Sequence, residues 1–196
     1  MVVRVYSHFA VNALSNTYLV GLPTGRAILI DPAAFDGELL ELLEHHSYSV
    51  TCILLTHSDE EHLAGLRTIM KVYSDVRICA AMPRILDLSA IPVNHGETLD
   101  VCGNPVDVIA LPGLGRDCVA FLTGGFLFCG LALSAGELGA VSNPYAKAIL
   151  LANLAESIFT LPDETVILPF YGPPTTVAVE RRTLPTEDPL KLAGLA

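Results

Sequence analysis

The sequence predicts an α+β protein in which mixed β-sheets pack together and helices cover their outer faces. Three observations support this class: strand candidates outnumber helices, their order is mixed rather than strictly alternating, and 52% of the 196 residues are hydrophobic. No Ser/Gly-rich linker, charge block or low-complexity tract divides the chain. Residues 1–196 are therefore expected to form a single domain.

The first half of the chain alternates between apolar runs and helical spacing. Asp36 is the expected N-cap of the first helix, because Leu39, Leu42 and Leu43 follow it at helical intervals. The predicted strands are 2–6, 16–21, 26–31 and 50–55, and the predicted helices are 35–46 and 59–73.

The second half is richer in strands, which Gly, Pro and Asn separate. The predicted strands are 77–80, 97–102, 106–111, 117–122, 125–129 and 165–168, with one helix over 145–159 and an irregular tail from Thr183. The Asn143-Pro144 pair marks the start of that helix. Residues 118–136 carry no charge and reach membrane-spanning length, but a Thr-Gly-Gly turn at 123–125 favours a hairpin of two strands.

Composition excludes several function classes. Eleven basic and 21 acidic residues give a formal net charge of −10, which argues against nucleic acid and anionic membranes as main partners. Five cysteines without any CxxC pair do not form a disulfide framework and suit a reducing compartment. The first ten residues also lack the apolar core of a signal peptide, so the expected location is cytoplasmic.

Residues 56–62 carry the chemistry that stands out in this sequence. His57, Asp59, Glu61 and His62 lie where a buried strand is expected to end and a helix to begin, and imidazoles and carboxylates at this spacing can bind a divalent metal. A second interpretation is a capping box, in which Ser58 caps the helix and Glu61 reaches back. The capping box accounts for the carboxylates but not for the two histidines.

This loop resembles the H-x-H-x-D-H motif of the metallo-β-lactamase superfamily. Further segments resemble its hydroxyacylglutathione-hydrolase-like branch, namely residues 16–20, 30–32, 62–65, 111–113, 168–176 and 180–183. The resemblance implies an αββα sandwich of two mixed sheets flanked by helices. It also implies that working relatives hold two metal ions with a bridging hydroxide that attacks a carbonyl or phosphoryl centre.

The chain departs from that family pattern at five positions. Asp59 stands where the second His is expected, and Glu61 stands where the Asp is expected. Leu114 replaces the His after Pro-Gly, Leu131 replaces the bridging Asp, and Tyr171 replaces the last His. Each of two ions would keep two protein ligands, below the three that catalytic zinc sites normally have. We therefore expect a degenerate metal site and a pocket lined by the three replaced side chains.

Four other residues are candidates for roles near this pocket. Arg116 could bind an anionic ligand or be a solvated surface residue. Cys129 could form a thiolate–imidazole pair with a loop histidine, or be an inert buried thiol. His8 and His95 could be substitute metal ligands or ordinary histidines.

Three functions remain open from the sequence. The first is a pseudoenzyme that needs no cofactor and binds a small molecule or a protein partner in the former active site. The second is a divergent hydrolase of thioester-like small molecules, in which zinc or another divalent metal is held by the loop residues His57, Asp59, Glu61 and His62. The third is a structural role as a subunit of a homo-oligomer.

Overall fold

The computed structural model of the chain describes residues 3–59 and 63–184. Its strands, in chain order, are β1 (Arg4–Ala10), β2 (Ser15–Gly21), β3 (Arg26–Ile30), β4 (Ser49–Leu54), β5 (Arg77–Ala80), β6 (Arg84–Ile85), β7 (Leu88–Ser89), β8 (Ile91–Pro92), β9 (Thr98–Val101), β10 (Asn104–Ala110), β11 (Val119–Thr123), β12 (Phe126–Gly130), β13 (Leu133–Ser134), β14 (Glu137–Leu138), β15 (Val166–Pro169) and β16 (Thr175–Thr176). The helices are α1 (Gly37–His45), α2 (Leu66–Val72), α3 (Pro144–Asn153) and α4 (Val177–Thr183), and a π-helical turn, Leu154–Ile158, extends α3.

Two six-stranded sheets form the centre of the molecule. The first has the order β1-β2-β3-β4-β5-β8, antiparallel through β3 and parallel from β3 onward. The second has the order β16-β15-β12-β11-β10-β9, in which β12 and β15 are the parallel pair. Both sheets are therefore mixed, as the sequence predicts.

Three apolar layers hold the sheets and helices together. Side chains from both sheets, among them Tyr18 and Phe121, fill the space between them. Leu39 of α1 and Leu66 of α2 pack on the outer face of the first sheet, and Leu150 of α3 packs on the second. Burial of each such side chain contributes about 1.5–3 kcal/mol. The architecture is an αββα sandwich, which confirms the predicted fold class.

Local signals set two of the helix starts. The Asp36 side chain accepts a hydrogen bond from the Leu39 amide (3.0 Å), and the Asn143 side chain accepts one from the Ala146 amide (2.9 Å). Both N-caps confirm the sequence prediction. The predicted helix over 145–159 corresponds to α3 together with its π-helical turn.

The second helix begins later than predicted. α2 starts at Leu66 with Gly65 as its N-cap residue, and Ser58 donates its hydrogen bonds to Asp117 instead of capping a helix. The capping box is therefore wrong in its Ser58 half, while Glu61 lies outside the described residues. Gly65 packs closely at this helix start, since a Cβ on it would approach Pro32 O to 2.8 Å. This contact joins two loops that are distant in the sequence, so no local sequence signal predicts it.

Two further segments test the sequence predictions. Residues 119–130 form the β11–β12 hairpin predicted in place of a membrane span. Within residues 3–59 and 63–184, no helix is long and apolar enough to cross a membrane. α4 was not predicted, although its N-cap Thr176 accepts a hydrogen bond from the Val179 amide (3.4 Å). The predicted irregular tail lies largely outside the described residues, which end at 184.

Candidate active site

The candidate site starts at the carboxyl ends of two parallel strands. β3 and β4 are neighbours in register, with Ile30 beside Leu54, so the residues that follow them meet at one edge of the sheet. Asp31 follows β3, and Thr56 and His57 follow β4. Asp31 has a positive φ of 48°, an uncommon conformation for a non-glycine residue. All three side chains are buried.

A chain of hydrogen bonds connects Asp31, Thr56 and His57. The Thr56 amide donates to Asp31 Oδ1 and the Thr56 hydroxyl donates to Oδ2, both at 2.7 Å. The same hydroxyl oxygen lies 2.8 Å from Nδ1 of His57. Because its only proton points to Asp31, this oxygen accepts from Nδ1–H. If the His57 ring is neutral, this arrangement leaves its lone pair on Nε2, the tautomer expected of a nitrogen ligand oriented by outer groups.

Phe170 packs against His57 from the second sheet. The two rings are T-shaped with centroids 4.6 Å apart, and the Tyr171 ring lies 4.8 Å from that of Phe170. His57 is 5% exposed. The imidazole is therefore held in an apolar aromatic setting on one side and by a polar chain on the other.

The turn that carries Tyr171 is fixed by residues of β2. Asn16 donates from its side chain to Pro169 O (3.0 Å) and to Gly172 O (2.8 Å). Tyr18 donates its hydroxyl to Pro169 O at 2.6 Å. Burial raises the pKa of Tyr18 above its usual value, so the phenol remains a neutral donor. These contacts hold the turn in one position against the first sheet.

Asp59, Leu131 and Tyr171 line one cavity of about 530 Å³, here called the Leu131 cavity. The structure thus brings together one loop residue and two of the three replaced positions. Gly130 at the rim has a positive φ of 54°, and a Cβ there would overlap the Thr56 hydroxyl. The backbone of β12 therefore approaches the loop as closely as a glycine permits.

Leu114 lies elsewhere, in a second cavity of about 520 Å³ that Arg116 and His95 also line, here called the Leu114 cavity. The prediction of one pocket lined by all three replaced residues is wrong in this respect. Leu114 packs against the apolar layer beneath α3, whereas Leu131 packs against a separate small cluster around Phe170. Each leucine therefore packs in a different apolar cluster.

Asp117 is a site residue that the sequence did not single out. The Ser58 amide (3.3 Å) and hydroxyl both donate to Asp117 Oδ2, which ties the loop after β4 to the turn before β11. Burial opposes ionisation of this carboxyl, but the Ser58 bonds and the nearby His57 ring hold its pKa below the usual range. An acidic residue in a surface turn gave no local signal of this role.

Cys129 does not fit the thiolate–imidazole hypothesis. It is fully buried, and burial raises its pKa to about 12, so a thiolate does not form near neutral pH. Its sulfur lies 3.8 Å from Leu133 O and 3.9 Å from Leu168 O. The inert buried thiol is the correct alternative.

The remaining histidines separate into two roles. His8 is buried, with Nε2 3.0 Å from Oδ1 of Asp36, the cap of α1. This contact joins β1 to the N-cap of α1, and the role of His8 as a substitute metal ligand stays a prediction. His95 is exposed, and its Nδ1 accepts a hydrogen bond from the Ala110 amide (3.3 Å). His95 lines the Leu114 cavity, and its role as a substitute metal ligand stays a prediction.

The donor set does not fit the two-metal site that the resemblance implies. Leu114 and Leu131 have no electron pair to donate, and the loop residues Glu61 and His62 lie outside the described residues. Among the residues that are described, no group of three or more His, Cys, Asp or Glu side chains could hold a metal ion. Of the four loop residues predicted to bind a metal, His57 and Asp59 are the two that the structure describes.

The αββα sandwich, with His57 and Asp59 in a loop at one end of the paired sheets, defines a metallo-β-lactamase fold. Residues 12–84, less than half of the chain, match the family model described as the metallo-beta-lactamase superfamily, and the fold of the chain is that of this superfamily.

Individual relatives agree with this assignment. The chain is 29% identical to a hydroxyacylglutathione hydrolase from Xylella fastidiosa (strain M23), over 93% of this chain and 74% of that protein. It is 33% identical to a protein of the same name from Chromohalobacter salexigens, over 78% of this chain and 59% of that protein. These similarities support the predicted likeness to the hydroxyacylglutathione-hydrolase branch.

Solved structures show the same fold over nearly the whole chain. ETHE1 from Myxococcus xanthus superposes with a TM-score of 0.82 at 24% identity, covering 99% of this chain and 90% of that one. TTHA1623 in a di-iron-bound form superposes with a TM-score of 0.76 at 26% identity, covering 92% and 98%. These neighbours therefore share the scaffold of this chain.

Proposed function

We propose that this chain is a metallo-β-lactamase-fold protein with an incomplete metal site, impaired or inactive as a hydrolase, which binds a small molecule or a partner in the former active site. Leu131 carries this proposal. It lines the Leu131 cavity beside Asp59 and Tyr171, at the position where the resemblance calls for a metal-bridging carboxylate. A leucine side chain supplies apolar surface there and no ligand atom.

The chemistry of the two cavities supports a small organic molecule as the ligand. Each is large enough for a small organic molecule, and each offers apolar surface with a few polar groups. In the Leu114 cavity the polar groups include Arg116, which has no carboxylate within 4 Å among residues 3–59 and 63–184. A carboxylate on an otherwise apolar small molecule would complement Arg116 and Leu114 together.

Restoring two ligands in the Leu131 cavity tests the proposal. We expect the variant Leu131→Asp/Tyr171→His to bind zinc at least about tenfold more tightly than the parent, as measured by calorimetry. The matched control Leu138→Asp/Tyr171→His places the same charge in the same cavity but away from the bridging position. Equal zinc affinity of parent, variant and control would contradict the loss of ligands.

A divergent metal-dependent hydrolase is the second candidate, and the orientation of His57 favours it. Thr56 and Asp31 hold His57 with the lone pair on Nε2, as a metal ligand requires. Together with Asp59, and with Glu61 and His62 of the same loop, it could hold a single ion. The relatives named hydroxyacylglutathione hydrolases suggest a thioester of glutathione as substrate.

Turnover of a hydroxyacylglutathione thioester distinguishes the two candidates. We expect no metal-dependent hydrolysis above background by the parent after addition of zinc or iron. Hydrolysis that requires added metal and disappears in His57→Gln would establish the second candidate instead. Cys102→Ser is a suitable control, since Cys102 contacts Thr51 and lines neither cavity. The cytoplasmic location, homo-oligomer formation and exclusion of nucleic-acid and membrane partners stay predictions.

A further inference from the structure

A third cavity, of about 370 Å³, lies at the opposite edge of the first sheet from the candidate active site. Asp31 and Thr56 follow the carboxyl ends of β3 and β4. This third cavity instead lies where those strands begin, beside the start of β1 and the end of β2. Arg4, His46 and Tyr48 line it, together with the turn between β2 and β3. We call it the Arg4 cavity.

The packing around Gly21 builds the wall of this cavity. Gly21 lies opposite Arg4 in the β1–β2 pair, and a Cβ on Gly21 would overlap the hydroxyl end of the Tyr48 ring. The absence of a side chain at this position lets the phenol lie across β2 beside Arg4. Any larger residue would displace Tyr48, so the arrangement depends on glycine through close approach.

Three aromatic rings hold the polar groups in place. The Tyr6 ring lies 4.6 Å from that of His46 and 6.3 Å from that of Tyr48, and the His46 and Tyr48 rings are 5.7 Å apart. Burial and the neighbouring Tyr6 raise the pKa of Tyr48, whereas Arg4 opposes this shift. The phenol therefore keeps its proton at neutral pH and can donate a hydrogen bond.

The Arg4 cavity is lined by a positively charged side chain, although the chain as a whole is acidic. Among residues 3–59 and 63–184, no carboxylate lies within 4 Å of Arg4 or His46. Glu44 of α1 lines the neighbouring groove with His45 rather than this cavity. A guanidinium, a phenol and an imidazole thus line one cavity without an acidic partner, in a chain of net charge −10.

We propose that the Arg4 cavity binds the phosphoryl group of a small molecule. The arginine fork matches two phosphoryl oxygens, and a tetrahedral oxyanion has further oxygens for Tyr48 and His46. The cavity is larger than a phosphate ion, which leaves room for an attached organic group near Leu22 and Pro23. This site is separate from the proposed function, because it involves neither the metal-loop residues nor either active-site cavity.

Calorimetric titration of the full chain with inorganic phosphate tests this site. We expect saturable binding that Arg4→Gln weakens about tenfold and Tyr48→Phe weakens about threefold. Arg77→Gln is the matched control, because Arg77 is also the exposed first residue of a strand in the same sheet but lies four strands away. The control should bind phosphate as the parent does.

Three results would overturn the proposal. They are the absence of saturable phosphate binding at millimolar concentration, equal affinity of Arg4→Gln and Arg77→Gln, and acetate binding as tight as phosphate at the same ionic strength. Thermal melting confirms that each variant is folded. If Arg4→Gln does not fold, Tyr48→Phe decides alone, since it keeps the ring that packs on Gly21.

Discussion

Thr56 donates two hydrogen bonds to the carboxylate of Asp31, one from its amide and one from its hydroxyl, both at 2.7 Å. The two residues are 25 positions apart in the chain and follow adjacent parallel strands. Through the Thr56 hydroxyl the same carboxylate orients His57. This pairing fixes the loop that carries the candidate site, whether or not the loop binds a metal.

Removal of the Asp31 carboxylate should destabilise the fold. We expect Asp31→Ala to lower the free energy of unfolding by about 3 kcal/mol, because it leaves the Thr56 amide and hydroxyl buried without their acceptor. Urea denaturation measures this change. Asp75→Ala, at an exposed position, should cost less than about 0.5 kcal/mol. A loss at Asp31 no larger than at Asp75 would show that the pairing contributes little.

Gly130 and Gly125 form a matched pair for testing the close approach of β12 to the loop. Both have positive φ, but only at Gly130 would a Cβ overlap Thr56, whereas nothing lies within 4 Å of a Cβ at Gly125. We expect Gly130→Ala to cost about 3 kcal/mol and Gly125→Ala about 1 kcal/mol in denaturant titrations. Equal losses of unfolding free energy in the two variants would mean that the loop moves to accommodate the added methyl group.

Asp117 should contribute a pH-dependent part of the stability. Its pKa in the folded state is below the usual value, so its contribution is present above pH 4 and is lost as the pH falls through the folded pKa. Asp117→Asn should therefore lose less stability than the parent between pH 5 and about pH 3. Asp75→Asn, which removes an exposed carboxyl, should follow the parent curve. Parallel curves for parent and Asp117→Asn would refute the role of the Ser58 bonds.

Asn16 should hold the turn that carries Tyr171. Its side chain donates to Pro169 O and Gly172 O, and we expect Asn16→Ala to lower the unfolding free energy by about 2 kcal/mol. Amide resonances of the turn should also shift in NMR spectra. Asn12→Ala, at an exposed position of the β1–β2 connection, should change neither measurement. If the amide resonances of the turn do not shift in Asn16→Ala, contacts other than those of Asn16 hold the turn in place.

The sequence predicted the parts of this fold that depend on local signals. The caps Asp36 and Asn143 start their helices as expected, because capping acts within three residues. The sequence did not predict that α2 starts at Leu66, nor that Gly65 before it packs against a loop more than 30 positions earlier. The hydropathy pattern predicted the strands, but it did not predict which strands face each other across the sandwich.

The candidate site was also predicted only in part, because sequence motifs indicate its residues but not the contacts between distant segments. The resemblance located His57 and Asp59 by sequence, and the structure places Asp59 with Leu131 and Tyr171. The separation of Leu114 into another cavity depends on which apolar layer each leucine joins, a property of the whole packed chain. The Ser58–Asp117 contact is likewise 59 residues apart in the chain and had no local signature.

The metal content of the untreated protein tests the central claim most directly. The chain should be purified from metal-replete medium without chelator and analysed by plasma mass spectrometry for zinc, iron and manganese. We expect well below one ion per chain, since Leu114 and Leu131 provide no ligand atoms. Two tightly held ions per chain would contradict the incomplete site and establish a working dinuclear centre.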